Sequence, residues 1–219
     1  MKIGLLGGTF NPPHLAHLRI AEEAREVCGL ERVLFIPAAD PPHKRVAGET
    51  PFEERCRMVA LAIDGNAAFE LSRIEGERPG KSYSIDTLTE LRARHPADDL
   101  HFIVGSDSFL EIETWHRYRD ILRGCSLIVV ERPGGVIERP DEALPVAMRP
   151  EFVYTAASRR LEHVSTGVAV QFVTGCPLEI SSSAIRGLAC AGRSLRYLVP
   201  PLLEKYISEQ RIYDQCRKP

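Results

Sequence analysis

The fold is organised around the stretch Gly7-Gly8-Thr9-Phe10-Asn11-Pro12-Pro13-His14-Leu15-Ala16-His17. The apolar run before it, residues 3–6, predicts a buried first strand, and the apolar spacing after it predicts a helix over residues 15–27. Two glycines therefore stand where a strand turns into a helix, so the backbone must turn tightly there and its N–H groups can face an anion. His14 and His17 fall on one face of the first helical turn. The pattern indicates a phosphate-binding site, and the alternative is a Gly/Pro turn with two surface histidines.

The composition is typical of a globular protein with one sizeable core. The chain has 219 residues, of which 44% are hydrophobic and 26% are charged. A formal net charge of −2 argues against a protein that coats nucleic acid or an acidic membrane, so we expect neither as a partner. The N-terminal apolar run is too short for a signal peptide, and no uncharged apolar run approaches the roughly 20 residues of a membrane span. A cytoplasmic location is therefore expected, and assembly into a homo-oligomer stays open.

The six cysteines are widely scattered and form no C-x-x-C pair. This spacing argues against a zinc site and predicts reduced thiols. We therefore expect no metal-ligating residues in the chain.

Strand patterns alternate with helical patterns in the first 130 residues. Strands are predicted over residues 3–6, 33–36, 69–71, 100–104 and 126–130, and helices over residues 15–27, 51–63 and 85–94. This alternation predicts an α/β, Rossmann-like, doubly wound parallel sheet with right-handed crossovers. Ligands of such sheets bind beyond the carboxyl ends of the strands, which is where the motifs fall.

The pattern weakens between residues 131 and 165, where prolines interrupt it, and we expect an irregular, partly helical connection there. A last strand is predicted over residues 168–173, and closing helices over residues 180–191 and 200–209. We predict one domain over residues 1–219, in which residues 176–219 form a C-terminal helical subdomain.

Two polar loops follow the early strands. Residues 37–44 form a proline-rich loop that ends in Lys44, a compact cation suited to phosphate. Gly80-Lys81-Ser82 does not complete a phosphate-binding P-loop, because the position that requires the first glycine is Glu75. We instead expect a helix start that Ser82 or Ser84 caps.

Three further features point to a ligand. Gly105 ends a predicted strand and lets backbone approach a ligand, while Asp107 either accepts hydrogen bonds from hydroxyls or caps a helix. Trp115 stands among polar residues, as either a stacking platform or a core anchor. In Ile180-Ser181-Ser182-Ser183-Ala184-Ile185-Arg186, three hydroxyls at a helix start with Arg186 one turn on form an anion cradle, whereas capping alone would need fewer serines.

These motifs resemble one family along nearly the whole chain. GGTFNPPHLAHL resembles the H-x-G-H signature of the nucleotidyltransferase superfamily and, more narrowly, the GGTFDPxHxGH of bacterial nicotinate-nucleotide adenylyltransferases. Asn11 and Ala16 depart from that form, in which Asp and Gly are usual. The loop ending in Lys44, the segments 82–88 and 105–107, and ISSSAIR are similar to further motifs of this family.

The resemblance implies a single nucleotidyltransferase domain that transfers AMP from ATP to nicotinate mononucleotide. The products would be deamido-NAD and pyrophosphate, in NAD biosynthesis, with Mg²⁺ bound mainly through the ATP phosphates. The implied catalytic residues are His14, His17, Lys44 and Arg186. The implied ATP-binding residues are Gly7, Gly8, Thr9, Phe10, His14, His17, Gly105, Asp107, Ile180, Ser181, Ser182, Ser183 and Arg186. The implied residues for nicotinate mononucleotide are Asn11, Lys44, Tyr83, Ser84, Asp107 and Trp115.

Two alternatives stay open at this point. One is another nucleotidyltransferase, of the nicotinamide mononucleotide or pantetheine-phosphate type. The other is a catalytically silent nucleotide-binding protein. A panel of substrates assayed for pyrophosphate release distinguishes all three.

Overall fold

The computed structural model describes residues 1–41, 50–131, 135–175 and 178–214. The strands in these ranges are β1 (Lys2–Gly8), β2 (Arg32–Pro37), β3 (Phe69–Leu71), β4 (Asp99–Gly105), β5 (Ser126–Glu131), β6 (Phe152–Thr155), β7 (Arg160–His163) and β8 (Ala169–Thr174). The α-helices are α1 (Leu15–Cys28), α2 (Phe52–Ile63), α3 (Ser84–Arg94), α4 (Ser106–Leu110), α5 (Tyr118–Gly124), α6 (Pro140–Ala143), α7 (Ser182–Cys190) and α8 (Pro201–Gln210). None of the helices described is long and apolar enough to cross a membrane.

The strands form one sheet in the order β3-β2-β1-β4-β5-β8-β7-β6. β1, β4, β5 and β8 run parallel to their neighbours in this series, so the carboxyl ends of β1 and β4 share one edge. Both faces are covered, because residues 127–130 of β5 are each at most 1% exposed. The order confirms the predicted Rossmann-like α/β fold. β1 lies between β2 and β4, so the strand order continues to β3 on one side of β1 and to β5 and β8 on the other.

The prediction for residues 131–165 was wrong in one respect. The connection contains two strands, β6 and β7; β6 pairs antiparallel with β7, and β7 pairs antiparallel with β8. The sheet is therefore mixed rather than wholly parallel. Each of these strands has only four residues, and only Leu161 and His163 of β7 face inward, so the alternation is too short to be distinguished from a turn.

The predicted cap of α3 was also wrong. Its N-cap residue is Tyr83, and the side chain of this residue makes no capping hydrogen bond. The Ser82 hydroxyl instead accepts hydrogen bonds from the backbone N–H groups of Ala39 and Asp40, each at 3.0 Å. This serine therefore holds the loop after β2.

The chain divides into two compact units. Unit 1 comprises Met1–Gly7, Ile20–Leu34 and Tyr83–Pro177, and unit 2 comprises Gly8–Arg19, Phe35–Ser82 and Leu178–Pro219. In unit 2, Met58 and Ala62 of α2 share a buried core with Ile185, Leu203 and Ile207 of the last two helices. The single domain with a C-terminal subdomain stays a prediction.

Candidate active site

The β1–α1 loop, residues 9–13, is held by its carbonyl oxygens. The Thr9 carbonyl accepts a hydrogen bond from Arg55 Nη1 at 2.8 Å. The Asn11 carbonyl accepts one from Arg186 Nη1 at 2.7 Å, and the Pro12 carbonyl accepts one from the Ser182 hydroxyl at 2.8 Å. The last two donors are 175 and 170 residues away in sequence. The structure thus brings the first glycine-rich motif and the ISSSAIR motif together within unit 2.

Phe10 explains one of the two glycines. Its backbone has a φ of 50°, in the left-handed region that a phenylalanine rarely adopts, and its side chain is only 1% exposed. Its ring lies 5.8 Å from the Phe35 ring and edge-on to the His17 ring at 5.1 Å. A Cβ atom at Gly8 would lie 3.1 Å from the Phe10 ring, so Gly8 leaves room for this ring to fold back. This packing role of Gly8 comes in addition to the tight turn and the anion contact that were predicted from the sequence.

The two histidines of the motif are in contact, as their helical spacing predicted. Their ring centroids are 3.7 Å apart and the rings are tilted by 32°. The backbone N–H of His14 donates to Nδ1 of His17 at 3.2 Å. Because Nδ1 accepts this bond, a neutral His17 ring carries its proton on Nε2. His17 therefore offers an N–H donor on the side of the ring away from the backbone of His14.

Each serine at the start of α7 has a different partner. Ser181 is the N-cap residue, and its hydroxyl accepts from the backbone N–H of Ala184 at 3.2 Å. Ser182 donates to the β1–α1 loop, and the Ser183 hydroxyl accepts from Arg186 Nη2 at 3.1 Å. Ile180, just before the cap, packs against the core of unit 2. Capping therefore explains only one serine, and the rest of the motif fixes Arg186 and the loop beside the positive end of the helix.

Arg55 is the main contributor that the sequence analysis missed. It is 2% exposed, and besides the Thr9 carbonyl it donates from Nε to the Thr50 carbonyl at 3.1 Å. Its guanidinium carbon also lies 5.7 Å from the centroid of the Phe52 ring. A signal was available, because Arg55 stands three residues before Met58 and four before Val59, on the buried face of α2.

The predicted site residues of unit 1 lie around two aromatic pairs. The Trp115 ring is edge-on to Phe102 at 6.0 Å, and a Cβ atom at Gly7 would lie 3.6 Å from Phe102. The Tyr83 ring stacks on His116 at 4.4 Å, so the start of α3 lies against the segment that carries Trp115. The sequence analysis did not select Phe102 or His116.

The remaining predicted residues of unit 1 stand at helix starts. Ser84 is the first residue of α3. Gly105, not Asp107, is the N-cap residue of α4, and Asp107 lies exposed in its first turn. Lys44 lies outside the described residues, so its assignment stays a prediction.

Comparisons with known proteins agree with this architecture. The cytidylyltransferase-like family model matches residues 5–188. The probable nicotinate-nucleotide adenylyltransferase of Pelobacter propionicus is 68% identical over 216 residues, which cover 99% of this chain and 100% of that protein. The probable nicotinate-nucleotide adenylyltransferase of Geobacter metallireducens is 57% identical over 217 residues, with the same coverage of 99% and 100%.

A solved structure shares the fold at low identity. The nicotinic acid mononucleotide adenylyltransferase of Plasmodium falciparum, solved in complex with NaAD, superposes with a TM-score of 0.74 at 18% identity and 97% coverage of both chains. The family match and the full-length relatives identify the family of this chain. The chain belongs to the nicotinate-nucleotide adenylyltransferases, within the cytidylyltransferase-like family.

Proposed function

We propose that this enzyme transfers AMP from ATP to nicotinate mononucleotide, which gives deamido-NAD and pyrophosphate. The observation that carries the proposal is the joining of the two most specific motifs by the bonds from Arg186 and Ser182 to the β1–α1 loop. A helix start, a guanidinium and an imidazole N–H donor then surround one loop, which is a suitable arrangement for a triphosphate.

The reaction requires alignment and charge neutralisation. The 5′-phosphate of nicotinate mononucleotide attacks the α-phosphorus of ATP, a new P–O bond forms, and the bond to the β-phosphate oxygen breaks as pyrophosphate leaves. Because the attacking oxygen is already an anion, no general base is needed. Catalysis then comes from holding two substrates in line and from stabilising charge on the phosphorus oxygens.

The proposed roles follow from the hydrogen bonds. His17 donates from Nε2 to an oxygen of the α-phosphate, since its Nδ1 accepts from the backbone of His14. His14 supports neighbouring phosphates. Arg186 uses one donor on Asn11 and one on Ser183, and since a guanidinium has five N–H donors it can also bind the outer phosphates. Lys44 is proposed as a further phosphate ligand from the family motif alone.

Mg²⁺ enters this scheme as part of the MgATP substrate. Within the ranges that the structure describes, no group of three or more His, Cys, Asp or Glu side chains could hold a metal ion. The groups around the β1–α1 loop are imidazoles, hydroxyls and guanidinium groups, whereas Mg²⁺ prefers oxygen anions. These residues fit a metal that arrives on the phosphates, and no step of the mechanism depends on a protein-bound ion.

The preference for the acid substrate rests on α3. The side chain of its N-cap residue Tyr83 makes no capping hydrogen bond, while the Tyr83 carbonyl accepts from the N–H groups of Asp86 and Thr87. The N–H groups of Ser84 and Ile85 have no partner within the helix. A carboxylate on the pyridine ring gains from these donors and from the positive end of the helix, whereas a neutral carboxamide gains less. Tyr83, Ser84 and Trp115 are proposed to hold this ring. A cytoplasmic location and self-association remain predictions.

The test is a pyrophosphate-release assay with ATP and Mg²⁺, in which nicotinate mononucleotide and nicotinamide mononucleotide are compared side by side. We expect rapid release with the acid and at least tenfold slower release with the amide, in line with the charge-dependent bonds. Faster turnover of the amide would refute the preference. Release with pantetheine phosphate alone would assign a different nucleotidyltransferase, and no release with any substrate would indicate a silent binding protein.

A further inference from the structure

Asn11 is the centre of a buried hydrogen-bond node that reaches the far end of the chain. Its side-chain oxygen Oδ1 accepts one bond from the Tyr213 hydroxyl at 2.9 Å and one from the Thr50 hydroxyl at 2.8 Å. Tyr213 is 202 residues away in sequence, in the turn after α8. We call these three residues the Asn11 node. All three belong to unit 2.

The node is shielded from water. Tyr213 is 6% exposed and packs in the core of unit 2, while Asn11 is 9% exposed. Burial raises the pKa of the Tyr213 phenol above its ordinary value, so the hydroxyl keeps its proton at neutral pH and remains a donor. The two lone pairs of the Asn11 amide oxygen are both used, which fixes the orientation of its side chain.

A shift at Asn11 is passed on to the histidines. Arg186 holds the main-chain carbonyl of Asn11, so this residue is held through both its side chain and its backbone. The next two residues, Pro12 and Pro13, have a fixed φ, so the segment between Asn11 and His14 has fewer torsion angles that can absorb a rotation of the chain. His14 follows immediately, and its backbone N–H sets the orientation of the His17 ring.

We propose that Tyr213 is a positioning residue for adenylyl transfer, which acts through Asn11 and the proline pair on His14 and His17. The proposal rests on the proposed function of the histidines. Asn11, which stands where the family usually has Asp, thus supports the loop. An amide oxygen accepts from two hydroxyls without the cost of burying a charge.

Tyr206 provides a matched control. It lies on α8, packs against the same core, and its hydroxyl donates to the Glu54 carboxylate on α2. Tyr206→Phe therefore removes one tyrosine hydroxyl bond from unit 2 without touching the β1–α1 loop. Thr50→Val is the second test variant, because it removes the other donor to Asn11 while it keeps the shape of the side chain.

The experiment measures kcat, KM and Tm for the wild type and the variants. Tyr213→Phe and Thr50→Val should each lower kcat about fivefold to tenfold, the equivalent of one lost hydrogen bond, with KM for both substrates within about twofold. Their double variant should lose less than the product of the two single effects, because both donors serve one oxygen. Tyr206→Phe should lower Tm by about as much as Tyr213→Phe does but keep the wild-type kcat.

Imidazole ¹⁵N resonances give a readout that does not need turnover. Tyr213→Phe should shift the ring nitrogens of His14 and His17, and Tyr206→Phe should not. Wild-type kcat in Tyr213→Phe, or losses that follow Tm equally in both tyrosine variants, would overturn the proposal. If the wild type released no pyrophosphate, the proposed function would fail, and unshifted imidazole resonances in Tyr213→Phe would then overturn the positioning role separately.

Discussion

Replacement of Arg55 by Met tests whether a buried cation supports the β1–α1 loop. Met has nearly the length of the arginine stem and suits the apolar face of α2, but it has no donor. The carbonyl oxygens of Thr9 and Thr50, at 2.8 and 3.1 Å from the guanidinium, would lose that donor. Arg55 is 2% exposed, so water reaches these carbonyls poorly after the change.

The expected loss is set by those two acceptors. An acceptor that is left buried without a donor costs about 1–3 kcal/mol. The variant no longer has to bury a charged guanidinium, which offsets part of the cost of the two acceptors. We therefore expect the free energy of unfolding to fall by about 3 kcal/mol. For a chain of this length, 1 kcal/mol corresponds to roughly 2–4 °C, which predicts a fall in Tm of about 6–12 °C.

The assay is thermal unfolding followed by far-ultraviolet circular dichroism, with Arg73→Met as the control. Arg73 also lies near the Phe52 ring, with its guanidinium carbon 5.9 Å from the ring centroid, but it is exposed and paired with Glu53 at the surface. Exposed pairs of this kind contribute little, so the control should keep the wild-type Tm. If both variants unfolded at the same temperature, the loop would not depend on Arg55 for its stability.

Three further predictions follow from single side chains. His17→Ala should lower kcat by roughly 10²–10³, as removal of one oxyanion donor does, while the circular dichroism spectrum is unchanged; full activity would remove His17 from the mechanism. Hydrogen bonds, the largest from Arg123, lower the pKa of Glu151 from 4.5 to about 2, so its contribution to stability is complete above pH 4.5 and is lost as the pH falls toward 2. Glu151→Gln should flatten the dependence of Tm on pH in that window, and an unchanged slope would contradict the assignment. Gly175→Ala should destabilise the protein by about 1–3 kcal/mol, because a Cβ atom there would lie 2.6 Å from a β5 side chain and 2.8 Å from a β5 carbonyl. The control is Gly124→Ala on α5, where a Cβ atom meets no described atom within 4 Å, and it should unfold at or slightly above the wild-type Tm.

The regular elements of the fold could be predicted because each carries its own pattern. The apolar runs of β1 and β4 and the helical spacing of α1 are local signals, and the predicted bounds differ from the observed ones by one or two residues. β6 and β7 have four residues each and gain their stability from pairing, β6 with β7 and β7 with β8, so no local pattern marks them. To predict these two strands, one would have to know which strand each of them pairs with.

The candidate site divides in the same way. The residues proposed to bind phosphate stand in compact motifs, so they could be selected from the sequence. Of the donors that hold the loop, Arg186 and Ser182 stand in such a motif, whereas Arg55 and Tyr213 do not. The bond between Tyr213 and Asn11 spans 202 residues, so no local pattern indicates it. Arg55 is a single polar residue on an apolar helix face, and its role is evident only once its carbonyl partners are known. The serines show the intermediate case, because their motif was evident but their separate partners were not.

The carbonyl contacts give the loop a consistent chemical logic. The oxygens of Thr9, Asn11 and Pro12 are occupied by donors from Arg55, Arg186 and Ser182, so the negative ends of these peptide dipoles point into the protein. The peptide unit after Thr9 ends in the N–H of Phe10, a positive end that favours an anion, whereas the units after Asn11 and Pro12 end in proline nitrogens that carry no hydrogen. Orientation of this kind stabilises phosphate charge only if the peptides cannot rotate when the ligand arrives. If the dipoles had to rotate, the free energy of reorganisation would offset the electrostatic stabilisation. The two prolines, the buried Phe10 and the Asn11 node all restrict that rotation. A site that acts by alignment and by fixed charge stabilisation, as proposed here, therefore needs the distant donors as much as it needs the histidines.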